Sequence, residues 1–191
     1  LKAGYYLPQI ITIVGQIFYE AWQLSAVTEE ADRQVFFSKV FRIYASVMFC
    51  GVAGIIMLCQ PMMRIFKASY FEAWTFVPFL TLCSMCTCLN QFLNSIYVVY
   101  KRSTGSLVTM LCGAVINLIL NYLFIQWFGP WGVTPASFIS LMLVFILRAY
   151  STRGLLDMDF HPAWLLLNLA LVLGEIWFIF TVQHWVVPVV A

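Results

Sequence analysis

The sequence predicts an all-α integral membrane protein, and three observations carry that prediction. Only 9% of the 191 residues are charged and 63% are hydrophobic, whereas an ordinary soluble domain carries roughly 25% charge. The charges fall between long apolar stretches, of which residues 103–147 contain no Asp, Glu, Lys or Arg at all. Backbone groups in lipid must be paired within helices or a closed barrel, and the chain lacks the alternating ten-residue segments of a barrel. Ten Lys plus Arg against eight Asp plus Glu leave +2 with no basic block, so an electrostatic nucleic-acid surface is excluded.

A hydrocarbon core of about 30 Å needs roughly 20 apolar residues per helix, and the charges divide the chain into about six such helices. The first is expected over 5–27, the second over 43–63, and the third within 73–100. The uncharged run 103–147 is too long for one crossing, and Phe128-Gly129-Pro130-Trp131-Gly132 breaks it near the middle. That punctuation predicts a hairpin of helices over 107–127 and 133–147, with Pro135 tolerable in a first turn. The sixth helix begins at Pro162 and runs to about residue 187. Pro8 and Pro78, near helix starts, are candidates for bends. The chain opens on Leu1 without a signal-peptide pattern and reads as an internal piece of a longer protein.

Cys50, Cys59, Cys83, Cys86, Cys88 and Cys112 all lie in apolar stretches and are expected to be free thiols. The CxxC at 83–86 lacks nearby further ligands, with His161 and His184 far along the chain, so neither a metal nor another cofactor is expected. Asp157, Asp159 and His161 have a spacing able to hold an ion, but residues of these types before Pro162 more simply start a helix.

Orientation follows from Lys and Arg, which cytoplasmic loops retain. After the first, third and fifth helices stand Arg33, Lys39, Arg42, Lys101, Arg102, Arg148 and Arg153, seven cations against Lys2, Arg64 and Lys67 on the other side. The first helix is therefore expected to descend into the cytoplasm, with both ends of the chain outside. Residues 29–42 mix Val35, Phe36, Val40 and Phe41 with Asp32, Arg33, Lys39 and Arg42. They read either as an interfacial helix on anionic headgroups or as a loop with an early helical turn.

Several segments together carry a resemblance. Ile17-Phe18-Tyr19-Glu20-Ala21-Trp22 closes the first helix, Asp32-Arg33 follows, and Ile96-Tyr97 leads into Tyr100-Lys101-Arg102-Ser103-Thr104. Next come AVINLILNYL at 114–123 and FGPWGVTPASFIS at 128–140. In order and spacing this set resembles the C-terminal half of bacterial polysaccharide flippases, the O-antigen and capsule repeat-unit exporters of the multidrug/oligosaccharidyl-lipid/polysaccharide (MOP) exporter superfamily. The resemblance implies that residues 1–150 form a partial C-terminal lobe, helices eight to twelve of the family. Residues 151–191 would then be a cytoplasmic loop and one additional transmembrane helix. It also implies an eighth helix descending into the cytoplasm, in agreement with the charge count.

The implied activity is non-enzymatic: a polyprenyl-pyrophosphate-linked oligosaccharide is turned over across the cytoplasmic membrane, its sugars in a central cavity and its tail in membrane lipid. The implied partners are the N-terminal lobe, to which the family's pyrophosphate-receiving cations largely belong, and the polymerase and glycosyltransferases of surface polysaccharide biosynthesis. The nearest alternative is a multidrug/cation antiporter of the same superfamily. An integral membrane transferase would need clustered His, Asp or Glu at a membrane face, and a purely structural subunit is set aside by the resemblance alone.

Among polar residues in the spans, Asn90, Asn94 and Tyr97 share a helix face with Gln91 beside it. They are candidates for a sugar-facing stripe, since an amide both donates and accepts without a net charge. Helix-to-helix bonding is the competing reading. Asn117 and Asn121 repeat the spacing on the next helix, where packing or backbone pairing is preferred. Glu20 and Glu175 are candidate buried acids. Glu20 is near enough to a helix end to snorkel or pair with Lys39 or Arg42. Glu175, near the middle of the last span, needs a partner; a bond to a missing helix is preferred over proton coupling and over a neutral buried acid. Trp22, Trp74, Trp127, Trp131, Trp164 and Trp185 fall near span ends and are expected mostly to anchor at the interface.

Overall fold

The computed structural model describes residues 6–28, 33–65 and 74–186, and among these every regular element is helical. Helices α1 (Tyr6–Thr28), α2 (Arg33–Ile65), α3 (Val77–Val99), α4 (Ser103–Phe128), α5 (Val133–Arg153) and α6 (Pro162–Val186) follow in order. Among the described residues, four stretches are long and apolar enough to cross a membrane: Arg33–Cys59, Trp74–Val99, Ser103–Arg153 and Pro162–Thr181. The third of these holds α4 and α5 in one apolar run.

Local chemistry sets the boundaries. Pro78, Pro135 and Pro162 all stand in first turns, where the missing N–H has no partner to lose. Helix α3 ends at Tyr100, with Lys101 at φ 52°, Lys101 N–H donating to Val98 O (3.1 Å) and Arg102 N–H to Tyr97 O (2.8 Å). That pair of bonds is a Schellman termination. The anticipated hairpin forms at the anticipated break, though both helices are longer than expected: α4 ends at Phe128 with Gly129, at φ 62°, as its cap, a single 3-10 turn spans Gly129–Gly132, and α5 begins at once. Gly132 backs so closely onto the Phe124 carbonyl that a β-carbon there would collide.

Helix α3 is the axis of the bundle, packed against α1, α2 and α5 and more lightly against α4. The most apolar 18-residue stretch of Trp74–Val99 is 67% buried, against 11% for those of Ser103–Arg153 and Pro162–Thr181. The outer surfaces of α4 and α6 are thus free of protein contact and apolar, as lipid-facing helices are. One side of α3 is dry: Phe92 lies among Trp22, Phe37, Phe41 and Tyr44, with ring centroids 5.2, 6.3, 5.3 and 5.7 Å away. Trp22 Nε1 also donates to Ser95 Oγ at 3.3 Å.

Three expectations are corrected here. Residues 33–42 are the first turns of α2, and Phe37 and Phe41 are fully buried against Trp22 and Phe92. The second helix therefore starts ten residues earlier than expected, with this segment as a continuous, core-packed part of it; residues 29–32 fall outside the described part. Trp22 and Trp74 are core residues, the latter 5.2 Å from Phe180, because the helix ends at which they stand pack against one another. Trp127 and Trp131 are exposed as a belt requires, and the side chain of Trp185 lies outside the described residues. Finally, α5 continues six residues past 147 to Arg153, so Arg148 belongs to a helix and not to a loop.

Candidate functional site

On the other side of α3 the surface is polar. Thr87, Asn90, Gln91 and Asn94 recur at the three- and four-residue steps of one helix face. They meet Ser106, Met110, Gly113, Ala114 and Asn117 of α4 and Ser140, Leu141, Val144 and Arg148 of α5 around a cleft of about 570 Å³. Gly113 lets the two outer walls close: a β-carbon there would strike Val144, and Ser140 Oγ donates to Gly113 O at 3.3 Å. From Ser106 to Asn117 the α4 wall runs roughly 16 Å along the helix axis.

Among the described residues, Arg148 is the only ionisable side chain lining the cleft, and it is 8% exposed. Its Nη1 donates to the Asn90 carbonyl at 2.8 Å and its Nε to Thr109 Oγ1 at 3.2 Å. Thr109 Oγ1 lies 3.0 Å from the helix carbonyls of both Gly105 and Ser106, to which its own proton returns. Arg148 therefore ties α3, α4 and α5 together through neutral oxygens, and among the described residues no carboxylate pairs with it.

The amides divide the remaining work. Asn90 Nδ2 donates to Cys86 O (2.9 Å) and across to Leu141 O (3.1 Å), a helix-to-helix bond of the kind weighed against a sugar-facing role. Its Oδ1, like Oε1 of Gln91, is buried without a partner. Ser106 Oγ donates to Asn94 Oδ1. Asn121 Nδ2 donates to Asn117 O and Oδ1, both 2.9 Å.

Of the five polar candidates Asn90, Asn94, Tyr97, Asn117 and Asn121, the first two and Asn117 line the cleft and Tyr97 and Asn121 do not. Tyr97 is covered by α4, whose Gly105 lies directly on its ring, since the short turn after α3 brings the start of α4 down over that end. Asn121 turns back on its own helix instead, the local pairing that had been preferred for it. Glu20 is exposed on α1 and makes no ion pair with Lys39 or Arg42, so it is not a buried acid. Glu175 is half-buried on α6, with no hydrogen bond or ion pair among the described residues. Asp159 Oδ1 accepts from His161 N–H at 3.0 Å, and His161 O takes the Trp164 and Leu165 amides, so these residues form the start of α6. All six cysteines are free thiols.

Arg148, Thr109, Ser106 and Ser140 were missed in the sequence. The available signal was the four-residue stripe Ser140, Val144, Arg148, Thr152 along α5, of which Ser140, Arg148 and Thr152 are buried polar residues. Comparison with protein-family models, characterised proteins and solved structures finds no match. The geometry of the cleft therefore carries the functional argument.

Proposed function

We propose that this chain is part of a flippase that moves a polyprenyl-pyrophosphate-linked oligosaccharide across the cytoplasmic membrane for surface polysaccharide biosynthesis. The observation that carries the proposal is the cleft itself, an amide- and hydroxyl-lined space within apolar spanning stretches. Sugar hydroxyls crossing hydrocarbon unpaired would cost several kcal/mol each. Asparagine, glutamine and serine offer them donors and acceptors without a second buried charge. In this reading all six helices cross the membrane, the ends carrying Lys39, Arg42, Lys101, Arg102 and Arg153 face the cytoplasm, and a preceding lobe completes the passage. The ordered segments at 17–22, 96–104, 114–123 and 128–140 support the same reading.

A cation antiporter is the competing reading, and the charge of the cleft opposes it: among the described residues its one ionisable side chain is that of Arg148, which repels a cationic cargo. Deleting the gene is expected to abolish surface polysaccharide, with lipid-linked repeat units accumulating on the cytoplasmic side, and the intact gene is expected to restore export. Unchanged polysaccharide together with altered resistance to cationic drugs would replace the flippase reading with the antiporter.

A further inference from the structure

The cleft holds a one-sided set of unmet polar groups. Arg148 spends Nε and Nη1 on Thr109 and Asn90, and Nη2 has no partner among the described residues. A guanidinium offers five N–H donors and no acceptor, and neutral oxygens leave its charge uncompensated. On the same wall, Asn90 Oδ1 and Gln91 Oε1 are buried acceptors without donors. Asn90 is 6% exposed, so bulk water does not serve it. A cationic donor on α5 thus stands beside two waiting acceptors on α3.

The geometry assigns this corner of the cleft to an oxyanion carried on a hydroxylated ring: the anion at Nη2 of Arg148, the ring hydroxyls at Asn90 and Gln91. A purely anionic ligand would leave both amide oxygens unmet, and a neutral sugar would leave the guanidinium unmet. A sugar phosphate or a sugar carboxylate meets all three. The site lies about 8 Å inside the α5 end, five residues before Arg153 at the helical rise. That end also carries Lys101 and Arg102, so an anion approaching from there meets cations first. This inference deepens the transport proposal and takes from it only that the cleft receives a glycosyl cargo.

The full-length protein in lipid nanodiscs is titrated with glucose 1-phosphate, glucuronate and glucose, with binding read by calorimetry. The charged sugars are expected to bind at least tenfold more tightly than glucose. Arg148→Gln should abolish that preference, and Arg148→Lys should keep part of it, as a point charge replaces the planar fork. Ala114→Phe, which fills the cleft from α4 and leaves the bonds of Arg148 in place, should abolish binding of all three, so the inference stays testable if Arg148→Gln fails to fold. Tighter binding of glucose 1-phosphate places the lipid linkage at this site, and tighter binding of glucuronate places an acidic sugar of the repeat unit there. Equal binding of charged and neutral sugars, a preference that survives Arg148→Gln, or binding that survives Ala114→Phe would each overturn the inference. Polysaccharide export that proves independent of the gene, with Arg148-dependent binding intact, would instead remove the flippase reading and leave the oxyanion site standing.

Discussion

An arginine at the centre of a membrane helix costs roughly 2.5–3.5 kcal/mol on insertion scales. Arg148 reduces that cost in two ways, by standing one and a half turns from the end of α5 and by donating to the Asn90 carbonyl and the Thr109 hydroxyl. Asn90 is the other pivot, because its side chain spans from α3 to Leu141 of α5. Interhelical bonds of this kind contribute about 0.6–2 kcal/mol in membranes. Asn90→Ala is therefore expected to lower stability by about 1 kcal/mol, measured by denaturant unfolding in mixed micelles, while the backbone bond to Arg148 persists. Neither residue announced its partners in the sequence. Arg148 followed 45 uncharged residues and so looked like the first charge of a loop; only the packing of α4 and α3 against it reveals that it faces inward.

At the scale of elements, the close approach of α4 to α5 depends on Gly113. A valine there would drive into Val144, and overpacking of this kind costs about 1–3 kcal/mol. Gly113→Val should accordingly destabilise the protein by that amount and distort the cleft, which a lower thermal midpoint and weaker sugar binding would register together. The turn after α3 offers the opposite test. Lys101 occupies a left-handed conformation at φ 52°, where glycine is the usual residue because it has no β-carbon to strain. Lys101→Gly is expected to raise stability by roughly 0.5 kcal/mol. The breaks between helices were legible because charges, prolines and Gly129 punctuate an otherwise apolar text, but the start of α2 and the end of α5 were not, since both helices run on through charged residues. The central place of α3 was not, since in lipid a helix can be apolar all round and periodicity no longer marks its buried side.

For the molecule as a whole, the helix ends alternate so that the cations group together. Trp22 near the end of α1, Phe36 and Phe37 at the start of α2, and Phe92 near the end of α3 stack on one another, and Phe160 before α6 meets Phe41. Among the described residues, Arg33, Lys39, Arg42, Lys101, Arg102 and Arg153 therefore share one end of the bundle; Lys2 and Lys67, expected at the other end, lie outside them. If that end is cytoplasmic, a cysteine placed at Lys101 in a cysteine-free background should react with an impermeant maleimide in inside-out vesicles and remain unmodified in intact cells. The reverse pattern would invert the topology. The polar side of α3 was half legible: the Asn90–Asn94 spacing marked it, but which of its neighbours would close over Tyr97 depended on the path of the turn that follows.

Helix α2 is 33 residues long, about 50 Å at 1.5 Å per residue, whereas the hydrocarbon layer is about 30 Å thick. If its uncharged run 43–63 fills that layer, the ten residues from Arg33 to Arg42 project roughly 15 Å beyond it. They are not a loose extension, because the Asp159 amide donates to Ser38 Oγ at 3.2 Å and Phe37 and Phe41 are locked in the core. In that placement the protein carries its own rigid handle outside the bilayer. A small antibody fragment raised against the exposed face of that handle would turn with the bundle, giving electron microscopy of so small a membrane chain a fixed landmark for alignment.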